Sequence, residues 1–293
     1  MRAINGVLEE KTLNIRRKPE WLRKRNELSE HKKIYNLIED LSLNTICKEA
    51  LCPNISECFK NKQATFLILG RICTRRCSFC NVDKAVPTPP DENEAERVAE
   101  AIKRMGLKFV VITSPTRDDI SDGGASYFIS TIDAIKKKNP DTLIEILIPD
   151  FRGDKESIKK IAHSKADIVS HNLETVERLY DIRKGADYGL SLELLREIKS
   201  SNPDKPTKSG IMLGLGETEP EIIKLMKDLL SVQCSFLSIG QYLQPSLKHY
   251  PVVEYVTPEY FEKIKNIGLE LGFKHIESGP YVRSSYMAEK YIN

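Results

Sequence analysis

Downstream of residue 62, short apolar runs alternate with longer stretches in which apolar residues recur with helical period. Short runs rich in Val, Ile, Leu and Phe are typical of buried strands, and the stretches between them have the length and spacing of amphipathic helices. The pattern predicts strands at 65–70, 109–113, 143–148, 168–171, 209–213 and 236–240. It predicts helices near 93–105, 125–138, 155–163, 190–200, 218–230 and 258–271.

Strands that alternate with helices in this way form repeated βα units around a parallel sheet. A closed barrel of eight units takes about 250 residues, more than the stretch from residue 64 to 278 provides. We therefore predict an α/β fold with a partial (βα)6 TIM-type barrel at 63–278. Residues 1–62 would form an N-terminal cysteine-cluster extension, and 279–293 a C-terminal segment. The active sites of such barrels lie at the carboxyl ends of the strands.

The composition is that of an enzyme with one main domain. The chain has 293 residues, of which 40% are hydrophobic, and a formal net charge of +3. It can bury a large core, and it lacks the strong basic bias usual in nucleic-acid-binding proteins. No apolar run reaches the length that spans a bilayer, and the acidic residues near the N-terminus argue against a targeting peptide. We expect a cytoplasmic protein that binds neither nucleic acid nor membrane, in a compartment where thiols stay reduced.

Six of the seven cysteines form two groups of three, with the spacings C-x4-C-x5-C and C-x3-C-x2-C. The first group is Cys47, Cys52 and Cys58, and the second, which directly follows the first predicted strand, is Cys73, Cys77 and Cys80. Three thiolates are one ligand short of a closed tetrahedral zinc site or a fully ligated four-iron cluster. Two metal clusters are the simplest interpretation. A structural zinc site is the alternative, although zinc fingers usually pair their cysteines as C-x2-C.

The C-x3-C-x2-C group resembles the signature of radical S-adenosylmethionine (radical SAM) enzymes. Taken with the first cysteine group and the motif Arg283-Ser-Ser-Tyr286, it resembles the lipoyl synthase family. The resemblance covers roughly residues 18 to 287. It is carried by Lys18-Pro-Glu-Trp-Leu-Arg23, Arg117-Asp-Asp119, Pro149-Asp-Phe-Arg-Gly153, His171-Asn-Leu-Glu174, Gly214-Leu-Gly-Glu-Thr218 and Gly240-Gln-Tyr-Leu-Gln-Pro245.

The resemblance implies a sulfurtransferase that inserts two sulfur atoms at the sixth and eighth carbons of protein-bound octanoyl-lysine, giving lipoyl-lysine. It implies two 4Fe-4S clusters and S-adenosylmethionine as cofactors. The second cysteine group would hold the radical cluster, whose open iron binds S-adenosylmethionine. The first group would hold an auxiliary cluster that donates the sulfur. The fourth ligand of the auxiliary cluster would be Ser285, with Ser284 as the near alternative, and the C-terminal segment would close on that cluster.

The resemblance also implies partners. The substrates would be octanoylated lipoyl carrier domains, namely the E2 subunits of 2-oxoacid dehydrogenases and the H protein of glycine cleavage. The other partners would be a low-potential electron donor and an iron–sulfur carrier that rebuilds the auxiliary cluster.

Polar side chains at the predicted strands and strand ends are candidates for binding S-adenosylmethionine. Glu145 interrupts an apolar strand and would point into the barrel. In the family such inward polar groups bind this cofactor, so Glu145, Asn172 and Lys208 are candidates for its amino, ribose and carboxylate groups. A structural salt bridge is an equal alternative for each of them. The chain departs from the family pattern at Arg71 and Ile72, and again at Phe59.

Two other functions remain open at the level of sequence. A radical SAM methylthiotransferase acting on transfer RNA would use the same clusters, but it would be expected to carry a nucleic-acid-binding appendage, and only six residues follow residue 287. A zinc-stabilised binding module belongs to a different class. It would contain zinc without labile sulfide after anaerobic purification.

Overall fold

The computed structural model describes residues 18–23, 38–49, 52 and 54–291, without the side chains of residues 48, 56, 59 and 60. Most of the predicted N-terminal extension before residue 38, and the side chain of Phe59, therefore lie outside the described residues. None of the helices in the described part of the chain has the length and apolar character needed to span a bilayer.

The strands of the described residues form one eight-stranded sheet in sequential order. Only the first pair is antiparallel, and β2 to β8 all run parallel. The order ends at β1 on one side and β8 on the other, so the barrel is open. The strands are β1 (Asn44–Thr45), β2 (Gln63–Leu67), β3 (Phe109–Thr113), β4 (Leu143–Leu147), β5 (Ile168–Ser170), β6 (Thr207–Leu213), β7 (Phe236–Gln241) and β8 (His275–Gly279).

Helices connect the parallel strands, and several begin at a residue whose side chain caps the first turn. Asp154, Asp187 and Thr257 each accept a hydrogen bond from a backbone N–H of the helix that follows, which satisfies donors that the helix itself leaves unpaired. The α-helices are α1 (Ile46–Glu49), α2 (Ile55–Lys60), α3 (Glu94–Met105), α4 (Ala125–Lys138), α5 (Lys155–Ala162), α6 (Tyr188–Ser201), α7 (Glu219–Ser231) and α8 (Pro258–Leu271).

The predicted fold class is confirmed. Six βα units run from β2 to α8, and each predicted strand and helix overlaps an observed one. The sequence pattern missed β1 and β8. In β8 only Ile276 is buried, and its other four residues are half-buried, so it has no apolar run to reveal it. The two residues of β1 are too few to show alternation.

Side chains alternate between the two faces of the sheet, as strand geometry requires. Val110 and Ile112 of β3 pack in the main core, which also contains the buried faces of α3 to α8. Phe109 and Val111 of the same strand belong to a separate cluster with Ala288 and Tyr291. The C-terminal segment therefore supplies apolar side chains to the inner face of the barrel.

The C-terminal segment also contacts the loop and helix that carry the first cysteine group. The Asn54 amide donates to the backbone oxygen of Tyr281 at 2.5 Å. The Tyr286 hydroxyl donates to the Glu57 carboxylate at 2.8 Å. Because Glu57 precedes Cys58 on α2, these bonds close the C-terminal segment over the first cysteine group, as predicted.

Candidate active site

The second cysteine group occupies the loop after β2 and lines a cavity of about 380 Å³. The cavity reaches Thr113, Leu147 and Gln241, the last residues of β3, β4 and β7. This is the carboxyl edge of the barrel, where the sequence predicted the site. Cys73, Cys77 and Cys80 all line this cavity. Three thiols that line one cavity, with open space beside them, could bind three irons of a cluster and leave its fourth iron unligated.

The loop that carries these thiols is held by a buried ion cluster around Arg75. Its guanidinium contacts both oxygens of Asp150, at 2.5 and 2.7 Å, and both oxygens of Asp118, at 2.8 and 3.0 Å. Two forked pairs on one planar donor fix its orientation as well as its position. Burial opposes ionisation of Asp150, but the hydrogen bonds and charge of Arg75 outweigh it and lower the pKa of that carboxyl group.

The first cysteine group lines a second, smaller cavity of about 20 Å³. Cys47 lies on α1, Cys58 lies on α2, and the Cys52 N–H donates to the Cys47 backbone oxygen at 3.0 Å. All three cysteines border this cavity together with Ser285. Cys47, Cys52 and Ser285 also line the larger cavity. Members of both cysteine groups therefore line the larger cavity.

Burial keeps several of these thiols protonated when no metal is bound. It raises the pKa of Cys47 to about 11 and that of Cys77 to about 12. Metal binding must therefore displace protons from these thiols. Among the described residues, no three His, Cys, Asp or Glu side chains converge on a point that suits a single ion. Thiolates that bind separate irons of a four-iron cluster need no such common point.

The structure distinguishes the two neighbouring serines of the C-terminal motif. The Ser284 hydroxyl accepts a hydrogen bond from the Asn172 amide at 2.6 Å and points toward the barrel. Ser285 borders the small cavity with Cys47, Cys52 and Cys58, whereas Ser284 borders only the large one. Of the two serines, Ser285 is therefore the one that lies beside the first cysteine group.

Glu145 and Lys208, both predicted to bind S-adenosylmethionine, are paired with each other inside the barrel. Their side chains are 0% and 1% exposed, and the Lys208 ammonium lies 2.9 and 3.0 Å from the two carboxylate oxygens of Glu145. Neither residue lines the large cavity. The predicted contact with the cofactor would require this pair to open, and it stays a prediction.

Asn172, the third predicted residue, does line the large cavity, together with two charged residues that sequence reasoning did not assign. The Asn172 amide donates to the Glu174 carboxylate at 3.1 Å, and burial raises the pKa of Glu174. Arg183 contacts the Tyr180 hydroxyl at 2.5 Å and lines the same wall. Arg183 lies in the segment between β5 and α6, which also contains Arg178 and Lys184, so the sequence alone does not single it out.

Comparisons with known proteins agree with this geometry. Residues 67–229 match the model of the Radical SAM superfamily. The chain is 56% identical over 276 residues to the lipoyl synthase of Geobacter sp. (strain M21), which covers 94% of this chain and 95% of that protein. It is 57% identical over 279 residues to the lipoyl synthase of Geotalea uraniireducens, covering 95% of this chain and 99% of that one.

Solved structures share the fold at much lower identity. The crystal structure of Streptococcus suis SuiB bound to S-adenosylmethionine matches with a TM-score of 0.57 and 13% identity, covering 85% of this chain and 60% of that one. The FeFe-hydrogenase maturase HydG of Carboxydothermus hydrogenoformans matches with a TM-score of 0.59 and 17% identity, covering 84% and 65%. The fold is thus that of radical SAM proteins, and the full-length identity to curated relatives is decisive: this chain belongs to the lipoyl synthase family.

Proposed function

We propose that the protein inserts two sulfur atoms at the sixth and eighth carbons of octanoyl-lysine on a carrier domain, giving lipoyl-lysine. One observation carries the proposal: cysteines of both groups line the same large cavity, and Ser285 lines it and the small cavity beside the first group. A radical source and a sulfur source must both reach the same alkyl chain. The family and its fold bring 4Fe-4S clusters and S-adenosylmethionine as cofactors.

Each cysteine group would hold one cluster. Cys73, Cys77 and Cys80 line the large cavity, so a cluster bound to them would have its fourth iron available for the amino and carboxylate groups of S-adenosylmethionine. Cys47, Cys52, Cys58 and Ser285 would complete the auxiliary site. When bound, these cofactors supply the two one-electron cleavages, the two hydrogen abstractions and the two sulfur atoms of the reaction. Serine oxygen is a harder ligand for iron than thiolate, which suits a cluster that must give up sulfur.

The polar wall of the large cavity would bind S-adenosylmethionine. Arg183 places a buried guanidinium beside Cys77, which suits the cofactor's carboxylate. Asn172 offers an amide at the same wall, as the sequence predicted for one of the cofactor's polar groups. We propose Arg183 and Asn172 as direct contacts. Glu145 and Lys208, which the sequence also named, are paired with each other and do not line the cavity, so their contact with the cofactor stays a prediction.

The apolar wall of the same cavity would hold the octanoyl chain and exclude water from the radical. Leu147, Met212, Leu243 and Val282 line it at and beyond the ends of the strands. An alkyl chain gains roughly 0.8 kcal/mol for each CH₂ group that it buries. A wall of this kind can therefore hold an eight-carbon chain without any polar contact to the carbons that react.

The substrates in this proposal are protein-bound octanoyl groups. We further propose that the carriers are E2 subunits of 2-oxoacid dehydrogenases and the H protein of glycine cleavage. A low-potential electron donor and an iron–sulfur carrier would serve the two clusters. A reducing compartment such as the cytoplasm suits six cysteines that must stay available for iron.

The test is anaerobic incubation of the reconstituted protein with S-adenosylmethionine, a strong reductant and an octanoyl-lysine peptide. We expect two hydrogens of the peptide to be replaced by two sulfurs, with two 5'-deoxyadenosine molecules formed per product. Ser285→Ala should keep deoxyadenosine formation and lose sulfur insertion, whereas Ser284→Ala, which keeps the backbone oxygen bonded to Lys208, should lose less of the insertion. Deoxyadenosine without sulfur insertion from the unaltered protein would refute the proposed reaction, and full single-turnover insertion by Ser285→Ala would refute the ligand role.

A further inference from the structure

The barrel interior contains a buried ion pair whose remaining hydrogen bond goes to the C-terminal segment. Lys208 of β6 has three N–H donors. Two lie within reach of the Glu145 carboxylate on β4, and the ammonium also contacts the backbone oxygen of Ser284 at 2.5 Å. A third strand contributes as well, because the Ser170 hydroxyl donates to Glu145 at 2.6 Å. The pair is therefore fully satisfied only when the C-terminal segment is in place.

The same ammonium lies 4.1 Å from the centre of the Tyr291 ring. A cation over an aromatic face is attracted to it, and more strongly in a desolvated site. Tyr291 packs against Phe236 on the inner face of β7, at 5.3 Å between ring centroids. Lys208 thus contacts the C-terminal segment at Ser284 and at Tyr291, which come before and after Ser285 in the sequence.

The barrel is also shaped to accept this segment. A side chain at Gly210 would place its Cβ 2.7 Å from the Asn172 amide oxygen and 3.0 Å from the Ser284 hydroxyl. A Cβ at Gly240 would collide with the backbone oxygen of Val282. Glycine at these two strand positions therefore leaves the space in which Val282 and Ser284 approach the sheet.

These contacts fix Ser284 at both of its polar groups. Lys208 holds its backbone oxygen, and Asn172 holds its hydroxyl. With Ser284 fixed, the next residue has little freedom, and Ser285 is directed to the small cavity beside Cys47 and Cys58. Burial lowers the pKa of Lys208, and the charge of Glu145 opposes that shift, so the carboxylate keeps the ammonium able to donate.

We propose that Glu145 and Lys208 are a positioning pair that holds Ser285 against the auxiliary cluster site. The inference rests on the proposed ligand role of Ser285, and it gives the pair a task that needs no contact with S-adenosylmethionine. The pair acts through the Ser284 backbone, so it orients the ligand without touching iron. Loss of the pair would loosen the serine-bound corner of the auxiliary site and leave the radical site as it is.

The test compares two double variants of the reconstituted holoprotein. Glu145→Gln/Lys208→Met removes both charges together, since removing one alone would leave a buried ion unpaired and threaten folding. Lys136→Met/Asp167→Asn is the control, because it removes a half-buried pair between a helix and the sheet, with a 3.0 Å contact, that does not involve the C-terminal segment. The first readout is iron release to a chelator, with the two clusters counted by Mössbauer spectroscopy before and after. The second is amide hydrogen exchange across residues 280–291.

We expect the positioning variant to release auxiliary iron about tenfold faster or more, the size expected for losing one hydrogen bond from a charged donor, with radical-cluster iron unchanged. Exchange across 280–291 should accelerate in the same variant and not in the control. Equal release from both clusters, or a change matched by the control, would reduce the pair to a general structural role and overturn the proposal. Unchanged auxiliary iron release would overturn it too.

A Ser285→Ala holoprotein, measured alongside, separates this inference from the proposal on which it rests. If Ser285→Ala accelerates auxiliary iron release and the positioning variant does not, the positioning role is wrong and the ligand role stands. If neither variant changes the release, the ligand role of Ser285 has failed, and the positioning role fails with it.

Discussion

Replacing Arg75 by methionine should destabilise the protein by about 3–5 kcal/mol at neutral pH, because it breaks a buried pair by removing one partner. The Asp150 side chain is 0% exposed and that of Arg75 is 8% exposed. Methionine keeps much of the side-chain volume but donates no hydrogen bond, so the Asp150 carboxylate would lose two of its close donors while staying buried. The backbone N–H of Arg152, at 3.0 Å, would remain.

The loss should depend on pH in a defined direction. In the unaltered protein the pKa of Asp150 is lowered below its ordinary value of 3.8, so its contribution to stability is present above that value and is lost as pH falls through the lowered pKa. Without Arg75, burial outweighs the remaining Arg152 hydrogen bond, and the pKa of Asp150 rises above the unfolded value. At neutral pH the folded variant is then destabilised by the cost of ionising the buried Asp150. This destabilisation shrinks by up to about 1.4 kcal/mol for each pH unit below the raised pKa, because Asp150 becomes protonated.

The measurement is urea unfolding of the metal-free, reduced protein at pH 7 and pH 5, with Arg104→Met as the control. Arg104 makes a helix-surface pair with Glu100 and its side chain is 53% exposed, so its removal should change stability little at either pH. Because Arg75 also orders the loop between Cys73 and Cys77, the Arg75 variant should assemble less of the radical cluster. A penalty below about 1 kcal/mol at pH 7, or one that is the same at both pH values, would refute this account of the ion cluster.

Three further predictions concern the two cluster sites. Arg183→Leu should weaken binding of S-adenosylmethionine by about tenfold or more with iron content unchanged, and equilibrium binding to the holoprotein checks it; undiminished affinity would exclude the carboxylate contact. Gly240→Ala should displace Val282 and accelerate hydrogen exchange across the C-terminal segment, whereas native exchange rates would show that the strand can absorb the methyl group. Arg71→Asp should lower the midpoint potential of the radical cluster, since the exposed Arg71 lies two residues before Cys73 and a negative charge there disfavours reduction. An unchanged potential would show that the charge at this position does not affect the cluster.

Much of the barrel could be predicted from sequence because its strands are short, apolar and flanked by helices of clear period. The exceptions are informative. The strand His275–Gly279 buries one residue, Ile276, and is stabilised by pairing with β7 instead of by its own apolar pattern. Local sequence does not carry a signal of that kind, since the partner strand provides the hydrogen bonds.

The residues of the candidate site likewise include some that local sequence predicts and some that it does not. Cysteine spacing is a local property, so both cysteine groups could be predicted. The pairing of Glu145 with Lys208 depends on β4 and β6, two strands that are not neighbours in the sheet because β5 lies between them. Sequence identified both residues as inward and polar but could not tell a ligand from an ion pair. Arg183 was missed for a related reason, since its place at the cavity depends on how the chain after β5 folds back.

The open barrel explains how one chain can bring two clusters to one substrate. A closed barrel fills its interior with side chains, whereas here the sheet ends at β1 and β8 and the C-terminal segment enters the interior instead. That segment contacts the barrel through Ser284 and the first cysteine group through Tyr286. A ligand supplied by such a segment is held by a few hydrogen bonds, which can break without unfolding the barrel. If Ser285 is the ligand that we propose, this arrangement would let a cluster that gives up sulfur lose its fourth ligand while the barrel stays folded.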